Sequence, residues 1–271
     1  MRHRWIIVFI TSIVVFVPMM LASPQGQQEQ GQRGQGQRAA APAKPTPHWP
    51  DGRVNLGSQL GDKGLWIGGI VTLTVPNGGQ IPYQPWARAV VDYRRQNEFE
   101  PHTRCKPSGG PRQFLTPYGV EFVDMPEMKR IYIFDVGGPH TYRIIYMDGR
   151  PHPKDLVPSY YGHNVGHWEG ETLVVDSVGY NEKFWVDRGR APHTEQLHMV
   201  ERFTRTDFNN LKYQVTIDDP GAYTAPWTGE FPIRWVAEDE MFEYICQDNN
   251  FAPELMIGAE KEINRRSQIV P

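Results

Sequence analysis

Residues 197–217 read LHMVERFTRTDFNNLKYQVTI, and this stretch decides the fold. In both halves of the stretch, apolar residues alternate with polar ones, which is the pattern of a strand with one buried face. The halves, Leu197–Thr206 and Leu211–Ile217, are separated by the turn-forming segment Asp207-Phe-Asn-Asn210. The stretch therefore predicts two adjacent antiparallel strands.

The same alternation recurs on both sides of this pair. Further strands are predicted at Leu65–Val75, Gln113–Val123, Arg130–Val136, Thr141–Met147, Val165–Trp168, Glu171–Tyr180, Phe231–Val236 and Met241–Cys246. Turn signals stand at Asp148-Gly149 and Glu169-Gly170. One helical pattern, residues 84–95, has Pro85 in its first turn and places Trp86, Val90 and Tyr93 on one stripe.

About ten strands with one early helix predict an all-β fold. We expect an antiparallel meander that closes into a lipocalin-like (calycin-like) barrel, because a long twisted sheet hides its edges by closing. A jelly-roll sandwich is the alternative. The composition agrees, since 26 glycines and 24 prolines accompany 12% aromatic residues. Small barrels of this kind have a mouth suited to one small ligand. The net charge of −3 gives no reason to expect a nucleic-acid partner.

The first residues have the composition of a targeting segment. Arg2 and Arg4 precede an apolar run that ends near a small residue, Ala22, which predicts a signal peptide over residues 1–22; a retained membrane anchor is the alternative. Residues 23–47 are rich in glutamine, glycine and proline and are expected to form a disordered tether. The remaining residues, 48–271, are expected to form a single β-rich domain of a periplasmic or secreted protein that keeps no membrane contact after cleavage.

The chain has two cysteines, Cys105 and Cys246. In an exported protein an even number favours a disulfide, while two free buried thiols are the alternative. Two cysteines so far apart in the sequence do not make a cysteine zinc site.

Titratable residues concentrate in the second half of the chain. Glu201 lies on the same strand face as Leu197, Met199 and Phe203, so inside a barrel it would have mostly apolar neighbours and a raised pKa. We take it as a candidate general acid or base; a buried ion pair with an arginine such as Arg143 is the structural alternative. The other candidate catalytic residues are His163, His198, Asp176 and Asp219.

Aromatic and polar residues near strand ends are candidates for binding the substrate: Trp168, Trp185, Tyr223, Trp227, His193 and Asn181. The alternative for the aromatic ones is that they plug one end of the barrel. Two histidine pairs, His163 with His167 and His193 with His198, have spacings that match no metal motif, so we expect no metal and no cofactor.

Several short motifs together resemble one protein family. They read QPWA at 84–87, CKPSGGPR at 105–112, DGRPH at 148–152, WEGETLVVD at 168–176, LHMVERF at 197–203 and TIDDP at 216–220. The chain resembles, over about residues 65–250, a family of secreted bacterial proteins that is abundant in acidobacteria and found in some proteobacteria. The resemblance implies export and a single domain, but no activity is settled for that family, so it implies no catalytic residues.

Three hypotheses for function follow. The first is an exported small-molecule enzyme, a hydrolase, lyase or isomerase, that uses carboxylate and histidine acid–base chemistry. The second is a periplasmic calycin-like carrier for an apolar or aromatic ligand. The third is an interaction module of the cell envelope, which would need no pocket of ligand size.

Overall fold

The fold is a closed barrel of nine strands, seen in a computed structural model that describes residues 43–69, 72–137, 141–247 and 250. The strands are β1 Gly64–Ile67, β2 Val120–Met125, β3 Arg130–Asp135, β4 Thr141–Tyr146, β5 His163–Glu169, β6 Thr172–Val178, β7 His198–Arg205, β8 Asn210–Asp218 and β9 Trp227–Ala237. Each strand pairs with its neighbours in sequence, and β9 pairs with β1 to close the barrel. The all-β barrel is confirmed.

The alternation of residues 197–217 determines which side chains face inward. In the β7–β8 pair, Glu201 lies opposite Val215 and Phe203 lies opposite Tyr213. All four side chains are fully buried, while the residues between them are at least partly exposed. The inward set is therefore the one that the sequence predicts.

One pairing departs from the predicted antiparallel meander. Strands β4 and β5 run parallel, and they pair only at Ile145–Asn164 and Tyr146–Val165. The connection between them, residues 147–162, is long enough to run back along the barrel, whereas a hairpin turn at Asp148-Gly149 would have made the pair antiparallel. The Asp148 carboxylate instead accepts a hydrogen bond from the Arg150 amide, and the chain continues away from the sheet.

One predicted strand is absent, and two others are shorter than predicted. Met241–Cys246 is not a strand: β9 is longer than expected and already pairs with both β8 and β1, so the barrel closes without a tenth strand. The first predicted strand, Leu65–Val75, ends at Ile67. The first part of Gln113–Val123 belongs to a 3₁₀ helix, Gly110–Phe114, whose residues are all buried.

That 3₁₀ helix helps to fill the barrel. The Phe114 ring lies 5.4 Å from the Phe203 ring and 5.2 Å from the Tyr213 ring, and it stacks at 6.3 Å on Phe122. Phe231 continues this cluster from Tyr213 at 4.7 Å. Aromatic side chains thus occupy the interior where a hollow calycin would hold a ligand.

The single α-helix, α1, spans Pro85–Asn97 and is confirmed. Its buried residues are Ala87, Val91 and Arg94, so the buried stripe is displaced by one residue from the predicted one. Trp86 and Tyr93 are exposed, and the Trp86 indole donates a 2.8 Å hydrogen bond to the Gly221 carbonyl. The helix thus packs against the rest of the protein through Ala87, Val91 and Arg94 rather than through its aromatic side chains.

A disulfide joins Cys105 to Cys246, with the two Cα atoms 5.6 Å apart, as predicted. It ties the segment after β9 to the segment that leads into the 3₁₀ helix of the interior. No helix in the described ranges has the length and hydropathy needed to cross a bilayer.

The predicted signal peptide, residues 1–22, and residues 23–42 of the predicted tether lie outside the described residues. The end of the predicted tether belongs to the barrel instead. The Lys44 carbonyl accepts a hydrogen bond from the Phe208 amide at 2.9 Å, and the Thr46 hydroxyl donates to the Arg205 carbonyl at 3.0 Å. The domain thus begins a few residues earlier than residue 48.

Candidate functional site

Three neighbouring strands bring three of the predicted catalytic residues together on the outer face of the barrel. Asp176 of β6 pairs with Val165 of β5 and with Val200 of β7. His163 and His198 are two residues from those partners, so they lie diagonally on either side of Asp176, within reach of long side chains. The register of the β5–β6–β7 meander thus assembles the cluster.

A fourth residue, His152, comes from the connection between β4 and β5 and completes the cluster. His152 Nε2 and His198 Nε2 each lie 3.0 Å from Asp176 Oδ1. His152 Nδ1 lies 2.8 Å from His163 Nδ1. A carboxylate only accepts hydrogen bonds, so both Nε2 atoms carry the hydrogens, and neutral His152 accepts at Nδ1 from His163. The four side chains form one hydrogen-bonded chain, His198–Asp176–His152–His163, which we call the histidine relay.

His163 is the last residue of the relay, and its surroundings favour the neutral form of its imidazole. Burial lowers the pKa of its imidazole below the ordinary value of 6.5, and the nearby His152 and Arg150 lower it further. Its ring stacks on Tyr146, with ring centroids 5.2 Å apart, and Arg150 lies 4.0 Å from the Tyr146 centroid. Within the described part of the chain, His163 Nε2 makes no hydrogen bond. A neutral imidazole with a free nitrogen is the form that accepts a proton.

His163 borders a surface cleft of about 390 Å³. The cleft opens where β4 and β5 separate, because only the last two residues of β4 form a strand pair with β5. Its walls include Tyr142, Tyr146, Tyr160 and Ser159, and Arg143 reaches it from the barrel interior. The end of the relay therefore meets a cavity of ligand size.

Glu201 lies inside the barrel, away from the relay. The Arg143 guanidinium donates to both of its carboxylate oxygens, and the Tyr213 hydroxyl donates to Oε1 at 2.8 Å. Arg143 also donates to the side chains of Asn164 and Ser177, at 2.8 Å and 3.0 Å. The expectation of mostly apolar neighbours for Glu201 is wrong, and so is the expectation that it works beside His163 and His198, because odd and even positions of one strand face opposite sides.

This buried network fixes its own protonation. Burial alone would lower the pKa of the Arg143 guanidinium, but the adjacent Glu201 carboxylate outweighs burial and raises that pKa above its ordinary value. Burial and the Glu201 charge together raise the pKa of the Tyr213 hydroxyl. Arg143 and Tyr213 thus keep the hydrogens that they donate to Glu201.

Asp219 lies apart from the relay and stabilises a turn. It accepts hydrogen bonds from the Thr194 amide and hydroxyl, both at 2.6 Å, and from the Gly221 amide at 3.1 Å. His193, next to Thr194, is buried against the Phe184 ring at 4.2 Å, and burial lowers its pKa to about 4. Asn181 accepts a hydrogen bond from the Lys183 amide. Asp219 thus joins the β8–β9 connection to the β6–β7 connection, whereas His193 and Asn181 contact residues of the connection that carries them.

The predicted aromatic binding residues are packed rather than open. Trp185, Tyr223 and Trp227 expose 5% of their surface or less, and Trp168 packs against the core. The Tyr223 hydroxyl donates to the Pro192 carbonyl at 2.7 Å, and its ring meets Trp227 edge-on at 5.5 Å. These four aromatic residues therefore contribute to packing rather than to an open binding surface.

Two members of the site, His152 and Tyr146, were not among the predicted site residues. His152 stands between two prolines in a long connection, and nothing in its local sequence shows that the chain returns to the barrel wall there. Tyr146 occupies an outward position of β4, where a polar residue is usual. An outward aromatic residue beside a histidine-rich strand was the available signal.

Within residues 43–69, 72–137, 141–247 and 250, no group of three or more histidine, cysteine, aspartate or glutamate residues is arranged to hold a metal ion. His152 uses its two ring nitrogens on two different neighbours, so the relay extends as a line instead of converging on one point.

Comparison with family models, with curated proteins and with solved structures finds no match to this chain.

Proposed function

We propose that the protein is an exported small-molecule enzyme in which His163 is the general base. The observation that carries the proposal is the histidine relay, which connects a proton-accepting nitrogen at a cleft to a partly exposed carboxylate. The disulfide supports export, because such bonds persist mainly in oxidising compartments.

The relay accounts for how a proton is taken up. When His163 Nε2 accepts a proton from a substrate or from a water, its Nδ1 hydrogen passes along the 2.8 Å hydrogen bond to His152 Nδ1. His152 then carries the positive charge next to Asp176, which stabilises an imidazolium as the carboxylate of a catalytic triad does. His198 holds Asp176 from the other side and is a positioning residue.

The partners of the relay restrict the reaction type. Among the described residues, the side chains of His152, His163 and His198 bond to no serine, threonine or cysteine, which does not favour a covalent nucleophile. The relay contains one carboxylate, whereas most glycoside hydrolases need a pair. We therefore propose proton abstraction from carbon, as in a lyase or isomerase, or from a water that hydrolyses the substrate.

The carrier hypothesis has less support from the geometry. Aromatic side chains occupy the interior where a calycin would hold its ligand, and three of the four aromatic residues expected at the mouth are buried.

The test is turnover with a matched histidine control. His163→Gln and Asp176→Asn should each lower kcat by about 100-fold or more on whichever class of a panel of neutral esters, lactones and β-hydroxy ketones the wild type turns over. His167→Gln is the control, because His167 lies on the same strand and is 60% exposed, with Glu169 as its partner. Unchanged turnover in His163→Gln would overturn the proposal. A wild-type protein with no turnover on any class would count against an enzyme.

A further inference from the structure

An aromatic surface leads away from the cleft along the outside of the barrel. Outward positions of an antiparallel sheet are usually polar, but on β3 and β4 they hold Tyr132, Phe134 and Tyr142. Their ring centroids lie 6.0–6.3 Å apart. Tyr142 is 56% exposed. A cluster of outward aromatic rings indicates a binding surface; we call these three residues the tyrosine platform.

Tyr142 connects the platform to the cleft. Its ring belongs to the platform, and the same side chain lines the cleft that His163 borders. The platform and the cleft thus form one continuous surface, with a recessed end near the proposed base and an open end on β3. Such a shape fits an elongated ligand with one unit in the cleft and further units on the platform.

The chemistry of the cleft indicates which kind of unit fits. Of its lining residues, only Arg143 and His163 are of a type that carries charge near neutral pH. Arg143 is buried and committed to Glu201, Asn164 and Ser177, and His163 is held toward its neutral form. The cleft therefore has no free charge for an anionic or cationic group, and a neutral ligand fits it best.

Hydroxyl groups stand beside the aromatic rings. The Ser159 hydroxyl accepts a 2.9 Å hydrogen bond from the Gly162 amide, so its own hydrogen is available to donate. Tyr142 and Tyr160 each combine an aromatic face with a hydroxyl. A sugar ring has the complementary pattern, with C–H faces that stack on aromatic rings and hydroxyls around its rim. A protein partner is too broad to enter a recess of about 390 Å³.

We infer that the protein binds a neutral glycan chain, one sugar ring in the cleft beside His163 and the next rings on the tyrosine platform. This inference rests on the proposed function for what happens to the bound glycan, but the binding itself does not depend on catalysis.

Binding is tested by calorimetry on the full chain carrying Asp176→Asn, which removes turnover and leaves the platform intact. The probes are cellohexaose, xylohexaose and mannohexaose, each compared with its monosaccharide and with a hexamer of galacturonate. At least one neutral hexaose should bind, and about tenfold or more tightly than its monosaccharide, because the platform adds contacts. Failure of all three neutral hexaoses, or preference for the uronate, would overturn the inference.

Variants then locate the site. Tyr142→Ala should weaken hexaose binding about tenfold or more, while Tyr142→Phe should retain most of it because the stacking face remains. Tyr93→Ala, an exposed tyrosine on α1, is the control and should bind normally. Equal affinity of Tyr142→Ala and the parent would overturn the inference. Glycan binding by a wild-type protein that turns over no substrate class refutes the proposed function alone, while turnover of another class without glycan binding refutes this inference alone.

Discussion

Arg143 and Glu201 form an ion pair inside the closed barrel, on strands β4 and β7, and both side chains have no solvent exposure. The pair is surrounded by Asn164, Ser177 and Tyr213, which hydrogen-bond to it. A charge so deep is tolerated only with such partners. The pair therefore joins β4 to β7 through the barrel interior, and its role is structural.

Removal of one partner should destabilise the fold. Glu201→Ala leaves the Arg143 charge buried and unpaired, so we expect the free energy of unfolding to fall by about 3–5 kcal/mol. Urea unfolding followed by fluorescence measures it. Glu169→Ala, which removes the exposed partner of Arg202, is the control and should leave the midpoint nearly unchanged. A Glu201→Ala protein as stable as the wild type would contradict a structural role.

The aromatic interior predicts a second large loss. Phe114→Ala should lower the free energy of unfolding by about 3–5 kcal/mol, because the ring is buried between Phe203 and Tyr213 and its removal leaves a cavity. Phe242→Ala removes an equal volume from an exposed position and is the control. If both variants lost the same small amount, the interior would be less tightly packed than the structure shows.

The disulfide should contribute through the unfolded state. Its cysteines are 141 residues apart in sequence, and replacing both by serine should lower stability by about 2–5 kcal/mol. The double variant and the reduced wild type should unfold at the same denaturant concentration. A reductant that further destabilised the double variant would show an effect unrelated to this bond.

Buried His193 should make stability depend on pH. Its pKa is about 4 in the folded protein, against an ordinary 6.5, because burial disfavours the charged ring. Above about pH 7 both states are neutral, but as the pH falls only the unfolded state takes up the proton. Stability should therefore fall by about 2 kcal/mol between about pH 7 and pH 5 through this group. His193→Gln should remove that part of the loss, and an identical pH dependence in the variant would contradict the assignment.

The pKa of His163 should respond to its neighbours. Histidine NMR titration should give a midpoint below 6.5, and Arg150→Gln should raise it, because one of the nearby positive charges is removed. Lys154→Gln, in the same connection between β4 and β5, is the control for a general change in charge. A His163 midpoint above 6.5 would contradict its proposed role as a base that is neutral near pH 7.

Local sequence patterns predicted some of these features better than others. The alternation in 197–217 predicted the inward set correctly, because the two-residue period of a strand needs only local information. The helix was found, but its buried stripe was displaced by one residue, since the side chain that is buried depends on what packs against the helix. The strand at Met241–Cys246 failed because β9 had already closed the sheet.

The candidate site shows the same division. The sequence placed Asp176 and His198 on neighbouring predicted strands and His163 just before the strand Val165–Trp168, yet it grouped them with Glu201, which faces the other side of the barrel wall. His152 was missed because its position depends on a connection of about sixteen residues that returns to the barrel.

By itself, the sequence determined the strand alternation and the single helix. It also supplied the two cysteines, which come within bonding distance only when the chain folds. The tertiary structure decided the rest: the parallel contact of β4 with β5, the cleft that this contact leaves open, and the relay that ends there. The physical reason is that alternation along a strand is set by neighbouring residues. The meeting of His152 with Asp176, by contrast, is set by how a closed sheet and a long connection fit together in space.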